Sequence, residues 1–151
     1  MVMVLNELLM KQNLFTKILL KDGEKELPKE LKVKVMRIRM ALNKIKTTFD
    51  NEVKEFTEEL ITPEFRELNE KQERTSEEEI KFKKLADSIN FEYQEYLIQK
   101  GKEEVDCIDI FLTEDEYSEI LDVNSGNDVE INGNKISAID FLEAIYELFV
   151  K

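Results

Sequence analysis

Residues 29–61 read KELKVKVMRIRMALNKIKTTFDNEVKEFTEELI, and this stretch decides the fold. Apolar side chains recur in it every three or four residues, which is the spacing of one helix face. These seam positions are Leu31, Val35, Ile38, Leu42, Ile45, Phe49, Val53, Phe56 and Leu60. A helix of this length extends about 50 Å at its usual rise per residue. The sequence therefore predicts a long, projecting helix that needs a partner along its seam.

A second helix supplies that partner. Thr62-Pro63 predicts a break, because the residue before a proline avoids helical angles. Thr75 and Glu78 then have the spacing of a capping box. Residues 77–100 carry one apolar face and stop before Gly101, a residue typical of helix ends. We predict an antiparallel helical hairpin with its tip at about 62–76.

The segment before the hairpin is also amphipathic. Leucines and phenylalanines at helical spacing predict a helix over residues 2–20, ended by Asp22-Gly23. Polar residues interrupt this segment and no small-residue cleavage site follows, so we do not interpret it as a signal peptide. Pro28 suits the first turn of the next helix. We assign residues 1–104 to one helical region with a projecting hairpin.

Residues 105–151 predict a small α+β lobe. Val105–Leu112 is rich in β-branched and aromatic residues and predicts a strand, and Thr113 opens a short helix. Asn132-Gly133 lies between two short apolar runs and predicts a two-residue hairpin turn. Ser137 begins a closing helix. The predicted fold class is α+β, mainly α, with a short antiparallel sheet in this lobe.

The composition argues against catalysis. The chain has no His and no Trp, so the commonest general base and metal ligand is missing. It has no glycine-rich phosphate loop and no paired-cysteine motif. Cys107 is the single cysteine, in an apolar run, and we interpret it as a small buried hydrophobic residue. We predict that the protein is not an enzyme and holds no cofactor.

One segment has some features of a calcium loop. Oxygen ligands alternate over Asp122–Asp128, but the bidentate glutamate expected at position 12 is replaced by Gly133. Gly126 also occupies a position where a ligand is expected. An ordinary turn between a helix and a hairpin is the favoured interpretation, and we predict no metal site.

The charge reverses along the chain. Residues 1–49 carry 11 Lys and Arg against 5 Asp and Glu, whereas residues 105–151 carry 2 against 12. The Lys and Arg residues between positions 29 and 46 could contact phosphates. The net charge of −12 would repel a polyanion, however, so we expect no direct nucleic-acid recognition. The basic helix end could meet the acidic lobe of a neighbouring copy or that of the same chain. The sequence leaves both alternatives open.

Five segments follow one another in a characteristic order. They are the apolar N-terminal helix, Leu27-Pro28-Lys29 leading into Lys34–Ile38, the Glu/Lys-rich hairpin, Val105–Leu112 and the closing helix over Ile136–Leu142. Together they resemble a family of small structural and morphogenesis proteins of tailed bacteriophages. The resemblance spans nearly the whole chain and implies a neck or tail component without enzymatic activity. It carries no catalytic residues over to this sequence, and the long acidic tip departs from the family pattern.

The resulting functional prediction is a ring-forming connector, neck or tail protein that acts by oligomerising. Its partners would be itself and other virion proteins, and it would reside in the virion after assembly in the host cytoplasm, without contact to membranes. The alternative is a small acidic phage regulator or inhibitor that binds a basic host protein surface. Exposed apolar faces on both terminal helices would form the interface. The predicted interface residues are Leu5, Leu8, Leu9, Phe15, Arg37, Arg39, Phe141, Ile145 and Phe149.

Overall fold

The computed structural model describes residues 1–151 and is mainly helical, which confirms the predicted fold class. The helices are α1 (Leu5–Phe15), α2 (Lys29–Leu60), α3 (Pro63–Glu70), α4 (Ser76–Gly101), α5 (Glu114–Asn124) and α6 (Ala138–Phe149). The strands are β1 (Val2–Val4), β2 (Lys21–Asp22), β3 (Lys25–Glu26), β4 (Glu104–Asp106), β5 (Val129–Ile131) and β6 (Asn134–Ile136). They form three separate antiparallel pairs, β1 with β4, β2 with β3 and β5 with β6.

The chain divides into two compact units, at boundaries that differ from the predicted ones. The discontinuous unit comprises Met1–Lys46 and Glu104–Lys151, and the hairpin unit comprises Thr47–Glu103. Residues 1–46 therefore belong with the C-terminal lobe instead of with the hairpin. The physical reason is that the first half of the α2 seam enters the same hydrophobic core as the lobe.

That core draws side chains from both ends of the sequence. Its buried members include Leu8, Phe15, Ile18, Leu27, Leu31, Val35, Ile38, Leu42, Ile110, Leu112, Ile120, Val123, Val129, Phe141, Leu142, Ile145 and Phe149. Phe15 and Phe149 pack ring against ring with centroids 4.9 Å apart, which joins α1 to α6. Packing of this kind, rather than local helix propensity, supplies most of the stability of short helices.

The predicted helix starts and the tight turn in this unit are confirmed. The Thr113 hydroxyl accepts a hydrogen bond from Glu116 N, and the Glu116 carboxylate accepts one from Thr113 N, which completes a capping box for α5. Ser137 caps α6 with its hydroxyl, which accepts a hydrogen bond from Asp140 N. Asn132 and Gly133 have φ angles of 52° and 80°, as a type I′ hairpin turn requires.

The pairing of β1 with β4 corrects two predictions. Residues 2–4 form a strand in place of the first turn of a helix, and Met3 pairs with Val105. The predicted strand Val105–Leu112 is regular only over Glu104–Asp106, and Leu112 makes an isolated parallel bridge to Val150. The residues between them have no regular secondary structure, and Ile110 and Leu112 enter the core.

The segment between α1 and α2 is folded. A small hairpin, β2 with β3, turns at Gly23, whose φ of 64° is one that side-chain-bearing residues rarely adopt. Leu27 N then donates to Leu20 O at 2.9 Å, and Leu27 enters the core. The link between the two helices is therefore a folded hairpin.

The hairpin unit contains the second half of α2, α3 and α4. Phe56 stacks on Tyr96 with ring centroids 4.0 Å apart, and nearer the tip Phe65 stacks on Phe82 at 5.3 Å. The later residue of the first arm, Phe65, contacts the earlier residue of the second arm, Phe82, so the hairpin is antiparallel, as predicted. Its seam residues are only partly buried, in contrast to those of the discontinuous unit.

The tip of the hairpin is helical and capped. Thr62 caps α3 by accepting from Phe65 N at 3.2 Å, which confirms the predicted break. Thr75 and Glu78 form the predicted capping box of α4. A hydrogen bond from Lys71, assisted by the Thr75 backbone, lowers the pKa of Glu78 to about 2.

Candidate interaction surfaces

Most of the predicted interface residues lie inside the chain's own core, so the premise of exposed faces on both terminal helices was wrong. Leu8, Phe15, Ile145 and Phe149 are fully buried, and the exposed fractions of Leu5 and Phe141 are 3% and 1%. Leu9 is partly buried. The apolar faces of α1 and α6 cover one another. Periodicity identified both faces but could not tell a neighbouring helix from a neighbouring molecule.

The two predicted interface arginines point to different sides of α2, because residues two positions apart on a helix do not share a face. Arg37 is exposed. Arg39 is partly buried, its Nε has no hydrogen-bond partner, and burial lowers its pKa. Of the two, only Arg37 lies on an open surface.

The outer side of α2 in the discontinuous unit carries a mixed surface that we call the basic–apolar face. It consists of Lys29, Val33, Met36, Arg37, Met40 and Lys44, all exposed. The exposed fractions of Val33, Met36 and Met40 are 47%, 50% and 70%. These three residues recur at helical spacing on the side opposite Leu31, Val35, Ile38 and Leu42, so they form an apolar line bordered by cations.

A groove of about 570 Å³ lies along this face. Val33 and Arg37 of α2 form one wall, and Ile108 and Asp109, just after β4, form the other. Ile108 is itself 42% exposed, so the groove combines exposed apolar side chains with charged ones. It has the dimensions to receive side chains from a partner helix.

The outer side of α6 carries a second mixed surface, which we call the acidic–apolar face. Ile139 and Tyr146 are 73% and 40% exposed, one above the other on the helix. Asp140, Glu143 and Glu147 flank them and are exposed. Two apolar residues are thus bordered by three carboxylates.

Tyr146 is held in place by neighbouring groups. Its hydroxyl donates to Glu114 Oε1 at 2.6 Å, and its ring meets that of Tyr117 edge to face at 5.0 Å. The hydrogen bond and the charge of Glu114 raise the pKa of Tyr146. Tyr117 is tied in turn to Leu142 O at 2.8 Å. Tyr146 is therefore a preorganised, partly exposed aromatic side chain.

Contacts between the basic N-terminal half and the acidic lobe occur within the chain, as one of the two open alternatives expected. Lys34 Nζ lies 2.6 Å from Glu116 Oε1, and Lys25 Nζ lies 3.8 Å from Asp122 Oδ1. Burial alone would raise the pKa of Glu116, but hydrogen bonds from Lys34 and Thr113 N lower it. These contacts leave Lys29, Arg37 and Lys44 on the outer side of α2.

The segment that resembled a calcium loop has another use in the structure. Asn124 is fully buried, and its Oδ1 accepts from Leu19 N at 2.8 Å while its Nδ2 donates to Leu19 O at 3.1 Å. Asp128 Oδ1 accepts from Ala138 N at 2.9 Å at the start of α6. Nowhere in the structure do three or more His, Cys, Asp or Glu residues form a group that could hold a metal ion.

Cys107 is partly buried beside β1. Its backbone N–H donates to Met1 O at 2.7 Å, which extends the β1–β4 pairing by one residue. Burial raises the pKa of the thiol, and a protonated thiol is a poor nucleophile.

Comparisons with protein-family models, with curated proteins and with solved structures found no match to this chain. No helix combines the length and apolar character needed to cross a bilayer. The two outer faces are thus the principal functional candidates. Sequence reasoning missed them because their apolar residues are interleaved with charges. The spacing of Val33, Met36 and Met40 was the available signal.

Proposed function

We propose that the protein is a structural component that assembles from copies of itself, as a ring-forming connector, neck or tail protein of a tailed phage. The observation that carries the proposal is that the discontinuous unit has both a basic–apolar face and an acidic–apolar face. The phage setting rests on the sequence resemblance alone. In this proposal the protein performs no catalysis, and its partners are its own copies and other virion proteins.

The two faces are complementary in both charge and apolar character. Arg37 and its neighbouring lysines would meet the carboxylates around Glu143, and Tyr146 and Ile139 would enter the groove beside Val33. Aromatic anchors in apolar pockets contribute much of the binding energy of interfaces, whereas the surrounding charges mainly direct orientation and association rate.

The contact joins two different patches, so it is heterologous. Such contacts repeat from copy to copy and close into a ring when the rotation between copies permits. Since each chain carries both faces, one chain can bind a second copy through its basic–apolar face and a third copy through its acidic–apolar face. This property suits a protein that acts by assembling into a larger structure.

Sedimentation analysis of the full chain tests the proposal. We expect concentration-dependent association that Met40→Glu weakens about tenfold or more, the usual consequence of losing a central contact. Ser118→Glu is the matched control, because it adds the same charge at an exposed position of α5 outside both faces. It should leave association unchanged.

A charge exchange tests the pairing itself. Arg37→Glu and Glu143→Lys should each weaken association, and the double variant should restore it, because each contact would then again join opposite charges. High salt should weaken the wild-type contact. Monomer at every concentration, or loss of association that the double variant does not reverse, would contradict the proposed contact. A protein absent from purified particles would instead favour the acidic-regulator alternative.

A further inference from the structure

Helix α4 carries a second line of apolar residues on the side away from the hairpin seam. Ile80, Phe91 and Ile98 are 60%, 66% and 48% exposed. They are 11 and 7 residues apart, intervals that return to nearly the same side of a helix with about 3.6 residues per turn. The partly buried residues Phe82, Ile89 and Tyr96 lie on the opposite side.

A helix that is apolar on two opposite sides is typical of the interior of a helical bundle. In this hairpin one side of α4 is covered by the other arm through Phe56 and Phe65. The other side is open. Phe91 alone exposes two thirds of its surface, and exposed aromatic residues in an apolar line commonly mark contact sites.

We propose that this line is a second self-association surface, on which the α4 helices of two copies pack antiparallel about a two-fold axis near residue 89. The proposal is independent of the contact between the α2 and α6 faces. It differs in kind, because a two-fold contact uses the same patch on both copies and stops at a dimer.

The sequence of the face is self-complementary in that arrangement. With the axis near residue 89, Ile80 of one copy meets Ile98 of the other, since the two residues lie nine positions on either side. Lys84 and Glu95, both exposed, are nearly symmetric about the same point and would form two ion pairs across the axis. Phe91 of one copy would lie opposite Asp87 and Ser88 of the other. A parallel arrangement would instead place like charges together, which disfavours it.

Cysteine cross-linking tests this geometry in the full chain. In a Cys107→Ser, Met40→Glu background, which removes the native thiol and the proposed α2 contact, Ile80→Cys with Ile98→Cys should give covalent dimers under mild oxidation. The two sites are about 27 Å apart along one helix, too far for a disulfide within a chain. The single variants are the matched controls and should give no covalent dimers, because equivalent residues lie at opposite ends of the antiparallel contact.

Two further variants keep the test independent of the cross-link. Phe91→Glu should lower dimerisation in the same background about tenfold or more, whereas Asn90→Glu, exposed on another side of α4, should not. Lys84→Glu should weaken the dimer and Lys84→Glu with Glu95→Lys should restore it. Cross-linking of the single variants as strong as that of the pair, no cross-linking at all, or equal effects of Phe91→Glu and Asn90→Glu would overturn the proposal. Circular dichroism of each variant separates lost association from lost folding.

Discussion

Replacing Asn124 by alanine should be among the most damaging single changes at a polar position. The side chain is fully buried and makes hydrogen bonds to both backbone groups of Leu19 and to Ile120 O, at 2.8, 3.1 and 2.9 Å. A buried hydrogen bond contributes about 1 kcal/mol net, and a partner left unsatisfied adds a similar cost. Leu19 is partly exposed, so water can replace some of the hydrogen bonds that its backbone loses. We expect Asn124→Ala to lower the free energy of unfolding by about 2 to 3 kcal/mol.

Urea denaturation followed by circular dichroism measures this loss. An unchanged slope of the unfolding free energy against urea concentration would show that only stability has changed. Asn127→Ala is the matched control, because the side-chain amide of Asn127 makes only long contacts, of 3.3 Å each, to Lys17 O and Asn124 Oδ1. Its cost should stay below about 1 kcal/mol. A loss below about 1 kcal/mol for Asn124→Ala, or equal losses for both variants, would refute the role assigned to Asn124.

Three further changes have expected outcomes by the same measurement. The pKa of Glu116 is lowered from 4.5 by Lys34, so its charge stabilises the fold fully above pH 4.5 and less as pH falls through the lower, folded value. The difference between wild type and Glu116→Gln should therefore shrink from about 0.5 kcal/mol at neutral pH to zero in acid, and a constant difference would contradict this. Gly133→Ala, at a φ of 80°, should cost about 1 kcal/mol, whereas Gly126→Ala, at an ordinary φ with open space around it, should cost nothing. Ile145→Ala in the core should cost about 2 to 5 kcal/mol, and a loss below 1 would mean that the site is not packed as described.

Local signals in the sequence predicted local structure well. The capping residues Thr75 and Thr113 and the Asn132-Gly133 turn were all identified, because each depends on groups within a few residues. The long helix and its antiparallel partner followed from periodicity. Each of these features is decided by short-range sterics and hydrogen bonding.

Long-range pairing was not predictable in the same way. The β1–β4 pair joins Met3 to Val105, and no pattern in either three-residue strand specifies the other. The seam of α2 also looked uniform, yet Leu42 is fully buried whereas Phe56 is only partly covered. Periodicity shows which side of a helix is apolar, but burial depends on how many elements surround it. Most of the predicted interface residues are buried for that reason.

The discontinuity of the first unit affects how the protein is made. During synthesis residues 1–46 emerge before residues 104–151, and the core that the two segments share cannot close until α6 has left the ribosome. The intervening hairpin draws its contacts from residues 47–103 alone and can fold while the ribosome is still at work. The apolar side chains of residues 1–46 therefore lack their core partners until residues 104–151 have been synthesised.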